Sequence, residues 1–389
     1  MKTNKTMHLT TARAEKAILV AVSTQKQNAV QTKEYLNELA FLAKTLIIQT
    51  VGEFIQNLPH PDAKTYIGPG KLEEIKSFLV THPVQIVIID DQLSPKQLRN
   101  LEKAFEGTKV MDRGALILQI FEMRAGTAQS KLQVELARLQ YLLPRLSRIS
   151  ADADSKSSDD GKRTGGENDL ENSRRTIKDR IILLKEKLEK VDRQGITQRK
   201  QRDRIVRATL VGYTNVGKST LMNYLSNADV YARDELFATV DSTVRNVRLN
   251  EIPFLLTDTV GFIRKLPPLL INSFKSTLDE VREADVLLHV VDISHPAWRQ
   301  QVEVVNTILA EIGAAHIPVM LIFNKIDLLT VEQLDSIKTE YAGTIADFTN
   351  ARHGYGPVYV SIAKDESMDN LIKVLSAVIM QKNHSLYTG

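Results

Sequence analysis

The chain has 389 residues, 43% of them hydrophobic, and 51 Lys and Arg against 47 Asp and Glu give a formal net charge of +4. That length exceeds one compact core, so two or more domains are expected. The absence of cysteine excludes disulfides, thiolate metal sites and cysteine nucleophiles. The 8 histidines have no ligand spacing, no apolar run approaches the roughly 20 residues of a membrane span, and Ala17–Val22 is too short for a signal peptide. A cytoplasmic protein is expected.

In chain order, residues 17–118 alternate apolar strand runs with helical periods. Ile18–Val22, Thr45–Gln49, Gln85–Ile89 and Lys109–Met111 read as strands. Helices fit near Thr32–Ala43, Lys71–Val80 and Pro95–Ala104, the last with Ser94 as N-cap before Pro95. This alternation argues for a small parallel α/β domain over 1–125. Tyr66-Ile67-Gly68-Pro69-Gly70-Lys71 lacks the spacing of a phosphate cradle, and Pro69 removes a donor. It reads as a structural turn.

The period then changes. Leu132, Leu136, Leu139, Leu143 and Leu146 step by 4, 3, 4 and 3, as do Ile177, Ile181, Leu184, Leu188 and Val191. Two matched seams predict an antiparallel helical hairpin, a coiled coil, over 126–204, with a flexible tip loop at about 147–173. Its second arm is basic: residues 171–207 hold 13 Lys and Arg and 6 Asp and Glu, a net +7, so the rest of the chain sums to −3. Such charge suits either a solvated coiled-coil face or contact with a nucleic-acid backbone.

The third region, 205–389, carries the chemistry. Val206–Val211 reads as a buried strand and Ser219–Leu225 as a helix. Between them, Gly212, Tyr213, Thr214, Asn215, Val216, Gly217, Lys218 and Ser219 fit the Walker A pattern, with Thr220 next in the helix. The glycines let backbone N–H groups curl around a β-phosphate, Lys218 reaches the β- and γ-oxygens, and the Ser219 hydroxyl ligates Mg²⁺. Leu255-Leu256-Thr257 ends a strand delivering Asp258, Thr259, Val260 and Gly261. There the Asp holds Mg²⁺ and the glycine N–H senses a γ-phosphate. A third strand, Val319–Phe323, runs into Asn324, Lys325, Ile326 and Asp327, 106 residues beyond Lys218. An Asp there accepts from N1–H and the 2-amine of guanine, donors that adenine lacks. Val358-Tyr359-Val360 leads to Ser361, Ile362 and Ala363, where N–H groups of Ile362 and Ala363 are expected near guanine O6. GTP and GDP are thus the expected substrate and product. The fold class expected is α/β: a parallel α/β domain, the hairpin, then a Ras-like P-loop GTPase domain.

Further motifs carry a resemblance. His60-Pro61-Asp62, Thr65-Tyr66-Ile67-Gly68 with Gly70-Lys71, Asp90–Pro95, Lys131–Ala137, Gln140–Leu146 and Gly212-Tyr213-Thr214-Asn215 resemble the HflX family of GTPases from about residue 17 to about 375. The resemblance implies a monomeric GTP hydrolase that binds the large (50S) ribosomal subunit through its hairpin and splits stalled or idle ribosomes. The alternative reading is a GTP-gated 50S assembly or RNA-binding factor that does not split ribosomes. The tip departs from the family's Gly-Pro-Gly-Glu-Thr-x-Leu-Glu-x-Asp-Arg-Arg run: here it is Arg163–Arg175, keeping Leu170-Glu171 and Arg174-Arg175 but not the proline. The chain also ends soon after the GTPase domain, so the further C-terminal domain of some members is not expected.

By the same resemblance, Phe237, Ala238, Thr239, Val240 and Asp241 are switch I. Thr239 is assigned as the Mg²⁺ and γ-phosphate ligand, with Thr243 as its rival. Lys218, Thr239, Gly261 and Asn215 are the catalytic candidates. Asn215 either helps to hold K⁺ near the β/γ bridge or braces its loop. Phe262 stands where Ras-like enzymes place a water-orienting Gln. Slow intrinsic hydrolysis, stimulated by the ribosome, is expected.

Overall fold

The computed structural model describes residues 15–25, 27–154, 165–200, 205–226, 237, 241–267, 269–270, 275–352 and 355–388. The chain divides into two compact units, Met1–Ile120 with Arg148–Ser158, and Phe121–Ser147 with Asp159–Gly389.

The first unit is built on four parallel strands in the order β2-β1-β3-β4: β1 (Lys16–Ser23), β2 (Gln49–Asn57), β3 (Ile86–Ile89) and β4 (Lys109–Asp112). The apolar run of β1 is buried on both faces, as a central parallel strand requires. Helix α1 (Ala29–Thr45) starts at a capping box of Asn28 and Gln31, and α3 (Pro95–Ala104) at one of Ser94 and Gln97. Between them α2 (Pro69–Thr81) begins with Pro69 at its first turn. The glycine cluster is the turn into this helix. The strand expected at Thr45–Gln49 is not there: Leu42 and Ala43 extend the buried face of α1, and Ile47 turns the chain at φ 61 before β2. Helix α4 (Arg113–Arg124) was not foreseen; Asp112 Oδ1 accepts from Ala115 N–H at 2.8 Å and so starts it. Its Arg113, 1% exposed, pairs with Asp90 at 2.9 Å and with Glu38, which offsets the cost of burying the cation.

Helices α5 (Ala128–Asp154), which belongs to the second unit up to Ser147, and α6 (Gly165–Lys200) form the hairpin. Leu136, Ile181, Leu184 and Leu188 make its buried seam, flanked by Leu132, Leu139, Leu143 and Ile177. Arg180 grips Glu135 across it through Nε at 2.7 Å and Nη2 at 3.0 Å. Helix occupies much of the expected tip loop, because propagation beyond an established seam adds a hydrogen bond per residue. Residues 155–164 of that loop lie outside the described residues.

Six strands follow in the order β10-β9-β8-β5-β7-β6: β5 (Arg207–Val211), β6 (Thr243–Leu249), β7 (Ile252–Asp258), β8 (Val286–Asp292), β9 (Val319–Asn324) and β10 (Tyr355–Tyr359). β6 is antiparallel to β7 and the other pairs are parallel. Helices α7 (Lys218–Ser226), α8 (Lys275–Arg282), α9 (Trp298–Glu311), α10 (Val331–Arg352) and α11 (Met368–Thr388) complete this part. Neither β6 nor β8 was read from sequence. β8 was a recoverable omission, since Val286–Val291 is a continuous run broken only by His289. In such a sheet the loops at the carboxyl ends of β5, β7, β9 and β10 gather at one edge, where ligands bind.

Candidate nucleotide-binding site

The loop after β5 is shaped by backbone constraints that only glycine meets. Gly212 has φ 146, and a Cβ on it would lie 2.3 Å from the Val290 carbonyl oxygen of β8. Gly217 has φ 102, and a Cβ there would lie 2.5 Å from Asn324 Nδ2. Asn215 sits at φ 62, in the left-handed region. Lys218, 6% exposed, donates to the carbonyls of Gly212 at 3.2 Å and Tyr213 at 2.7 Å. Burial lowers its pKa to about 8, and the charge of Asp258 only partly opposes this.

That shift has a consequence for binding. A phosphate beside Lys218 favours the ammonium, so above pH 8 binding must take up a proton. GDP affinity is therefore expected to be level up to about pH 7.5 and to fall roughly tenfold by pH 9. Fluorescent-GDP titrations across pH 6.5–9.5 measure this; a flat profile would refute the cause assigned here.

Ser219, in the first turn of α7, donates its hydroxyl to Asp258 Oδ2 at 2.7 Å. Two hard oxygen donors from one helix start and one strand end fit Mg²⁺, which takes few protein ligands and keeps its remaining positions for water and phosphate. Thr259 instead turns its hydroxyl to the Leu210 carbonyl at 2.7 Å. Gly261 lies close against the cradle: a Cβ there would fall 2.8 Å from Thr214 Cγ2 and 3.0 Å from Lys218 Nζ.

Beyond Gly261, the chain is stitched to the cradle. Phe262 N–H donates to Gly212 O at 3.0 Å, Thr214 N–H to Phe262 O at 2.9 Å, and Arg264 N–H to the Tyr213 hydroxyl at 3.0 Å. The Phe262 ring is buried among Val211, Leu278 and Val281.

The loops after β9 and β10 join the same edge. Asn324, the last residue of β9, donates to Val216 O at 2.9 Å and accepts from Ile362 N–H at 3.2 Å. Lys325, at φ 66, reaches Asn215 O at 3.1 Å and pairs with Asp292 at 2.7 Å. The Ser361 hydroxyl donates to Asp327 Oδ1 at 2.6 Å, while Ile326 is buried in the core. The Ile362 N–H, expected near guanine O6, donates to Asn324 Oδ1. Sequence reasoning missed Asp292 because it missed β8. It also missed Tyr224 of α7, whose hydroxyl donates to Asp365 at 2.6 Å, a bond that pushes the tyrosine pKa up to about 12.

Switch I is placed less simply. Ala238, Thr239 and Val240 lie outside the described residues. The side chains of Phe237 and Asp241, expected at the nucleotide, are engaged elsewhere. Phe237 is buried against Phe121, and Asp241 takes hydrogen bonds from Gly126 and Thr127, donors ahead of α5 with no helical acceptor of their own. Thr243 opens β6 opposite Asp258.

A Walker cradle, a Ser–Asp pair at its helix start and an Asn-Lys-x-Asp loop on one six-stranded sheet define a P-loop GTPase. Three family profiles match in succession: GTP-binding GTPase N-terminal over 33–122, GTP-binding GTPase Middle Region over 124–202, and 50S ribosome-binding GTPase over 207–325. The GTPase HflX of Flavobacterium psychrophilum is 49% identical, across 84% of this chain and 79% of its own. That of Escherichia coli strain K12 is 41% identical, across 81% and 74%. A solved complex of SsGBP with GDP has 26% identity and a TM-score of 0.51, covering 95% of this chain and 99% of that one. The chain belongs to the HflX family of GTPases.

Proposed function

We propose that the protein hydrolyses GTP in association with the large ribosomal subunit and dissociates stalled or idle ribosomes, acting as a cytoplasmic monomer. Family membership and the 50S ribosome-binding profile over 207–325 support association with the ribosome. The observation that carries the hairpin's part is its division of labour. The apolar seam is satisfied within the hairpin, and Arg175, Lys178, Lys185, Lys187 and Lys190 stand exposed on α6. Such a face attracts rRNA phosphates with little dependence on sequence and strong dependence on salt. Among the described residues, no helix is long and apolar enough to cross a membrane.

In this reading, N–H groups of residues 212–219 and the Lys218 ammonium hold the β- and γ-phosphates. Ser219, Asp258 and Thr239 would hold Mg²⁺, which would neutralise charge on the β- and γ-oxygens. Asn215 would help to hold K⁺ beside them, and Gly261 N–H senses the γ-phosphate. Asp327, held by Ser361, accepts from guanine N1–H and the 2-amine; Asn324 and Lys325 brace the cradle, and Ala363 N–H serves O6. Water attacks the γ-phosphorus as the bond to the β–γ bridging oxygen breaks, its proton passing to solvent, and GDP and inorganic phosphate leave. The Phe262 ring is fixed in the core and cannot orient that water, so the intrinsic rate is slow until ribosome contact orders the switches and excludes bulk water.

The test is GTP turnover with and without 50S subunits, in potassium and in sodium, together with sedimentation of 70S ribosomes. Stimulation of at least about tenfold is expected, with 70S particles dissociated at substoichiometric protein. Fast turnover unaffected by 50S would refute ribosome gating. Binding to 50S precursors with intact 70S particles would instead identify an assembly factor.

A further inference from the structure

The segment that follows β7 is held in place by the cradle itself. Leu210 of β5 stands opposite Asp258 of β7, and the next pair in line is Tyr213 with Phe262. Residues 259–261 thus face only residues 211 and 212, so the β7 side carries one residue more, as a bulge does. Thr259 closes one end of this bulge through its hydroxyl, which donates to Leu210 O at 2.7 Å. Phe262 closes the other, donating to Gly212 O at 3.0 Å and accepting from Thr214 N–H at 2.9 Å. Two residues further on, a side chain takes over from the backbone: Arg264 N–H donates to the Tyr213 hydroxyl at 3.0 Å. Tyr213 is 5% exposed and the bond is buried, so this N–H depends on a protein acceptor. Tyr213 is held at its other end as well, since its carbonyl accepts from Lys218 Nζ at 2.7 Å. One residue therefore joins the Lys218 ammonium to the chain beyond Gly261. Gly261 lies against the same group, because a Cβ on it would fall 3.0 Å from Lys218 Nζ.

We infer that Tyr213 is a positioning residue for the triphosphate: its hydroxyl latches residues 262–264 to the cradle and keeps the Gly261 N–H beside Lys218. The inference rests on the reading of Gly261 as the group that senses the γ-phosphate. A Phe at 213 would fill the same buried space but leave the Arg264 N–H without this acceptor. The segment then relieves the unpaired donor by swinging toward water, and it carries Gly261 with it. An unlatched segment meets the γ-phosphate only during the fraction of time it is in place, and the apparent affinity falls by that fraction. GDP has no γ-phosphate for Gly261 to meet, so its affinity does not depend on the latch. By linkage, the triphosphate tightens the latch as much as the latch tightens the triphosphate.

The experiment uses the full chain without ribosomes and compares the unaltered protein with Tyr213→Phe. Affinities for fluorescent GDP and for a fluorescent non-hydrolysable GTP analogue give a triphosphate preference for each. Tyr213→Phe is expected to lower this preference about fivefold, in proportion to the latched fraction lost, with GDP affinity kept within about twofold. Amide hydrogen exchange over residues 261–264 is the second readout, and it is expected to speed up in Tyr213→Phe with GDP bound. A preference unchanged within about twofold, both nucleotides weakened equally, or a shift toward the triphosphate would each overturn the latch. So would unchanged exchange in the variant. The unaltered protein separates the two levels, because there the analogue is expected to slow exchange at 261–264 relative to GDP. Slowing alongside an unaffected Tyr213→Phe rejects the latch alone, whereas no slowing rejects the reading of Gly261 beneath it.

Discussion

Asp327→Asn is expected to weaken GTP binding at least a hundredfold while creating affinity for xanthosine triphosphate. In the proposed reading the carboxylate accepts from two guanine donors, and its orientation is held by the Ser361 hydroxyl at 2.6 Å. An Asn turns one acceptor into a donor and sets it against the 2-amine. The mismatch leaves buried polar groups unpaired, a cost of about 3 kcal/mol or more. Xanthine carries an oxygen at that position, so the Asn donor finds a partner there. Competition of GTP and xanthosine triphosphate against fluorescent GDP measures both effects. Retained GTP affinity would mean that the base lies elsewhere.

Gly212→Ala is expected to destabilise the GTPase region by more than about 3 kcal/mol, well above the usual range for a point substitution. Its φ of 146 is one that L side chains rarely adopt, and the new Cβ would meet the Val290 carbonyl at 2.3 Å. Neither problem relaxes through a rotamer, because the obstacle is backbone in the middle of the sheet. Thermal unfolding, read with nucleotide binding, is the measurement, and an unchanged melting temperature would refute the steric account. Gly70→Ala is the contrast: nothing lies within 4 Å of a Cβ there, so little change is expected at the superficially similar cluster of the first unit.

The legible parts of this molecule are those set by neighbours in the chain. Ser94 and Pro95 placed the start of α3, and the 4, 3, 4, 3 spacing placed the hairpin seam, whereas α1 starts at Ala29, ahead of the expected Thr32, on a cap at Asn28. The errors were local competitions decided by packing. Thr45–Gln49 looks β-prone, yet burial of Leu42 and Ala43 against the sheet carries α1 through to Thr45. Helix α4 escaped notice because its first charged residue, Arg113, is buried by partners 23 and 75 residues away. The helical period of a short apolar stretch does not reveal such pairing.

The sequence by itself carried the motifs of the nucleotide site. The Walker cradle, the Ser219 and Asp258 positions and the Asn-Lys-x-Asp loop are short motifs whose spacing follows from ligand size and from glycine's allowed angles, so they can be read without a fold. Tertiary structure decided how those motifs are held. Asn324 ties the cradle to the loop at Ile362 across 108 and 38 residues, and Asp292 seats Lys325 from a strand that the sequence reading passed over. Phe262 proved to be a core residue bonded to the cradle, and Asp241 turned to a helix start 114 residues away. Contacts at that separation follow from packing and from unsatisfied helix ends, which no local pattern encodes.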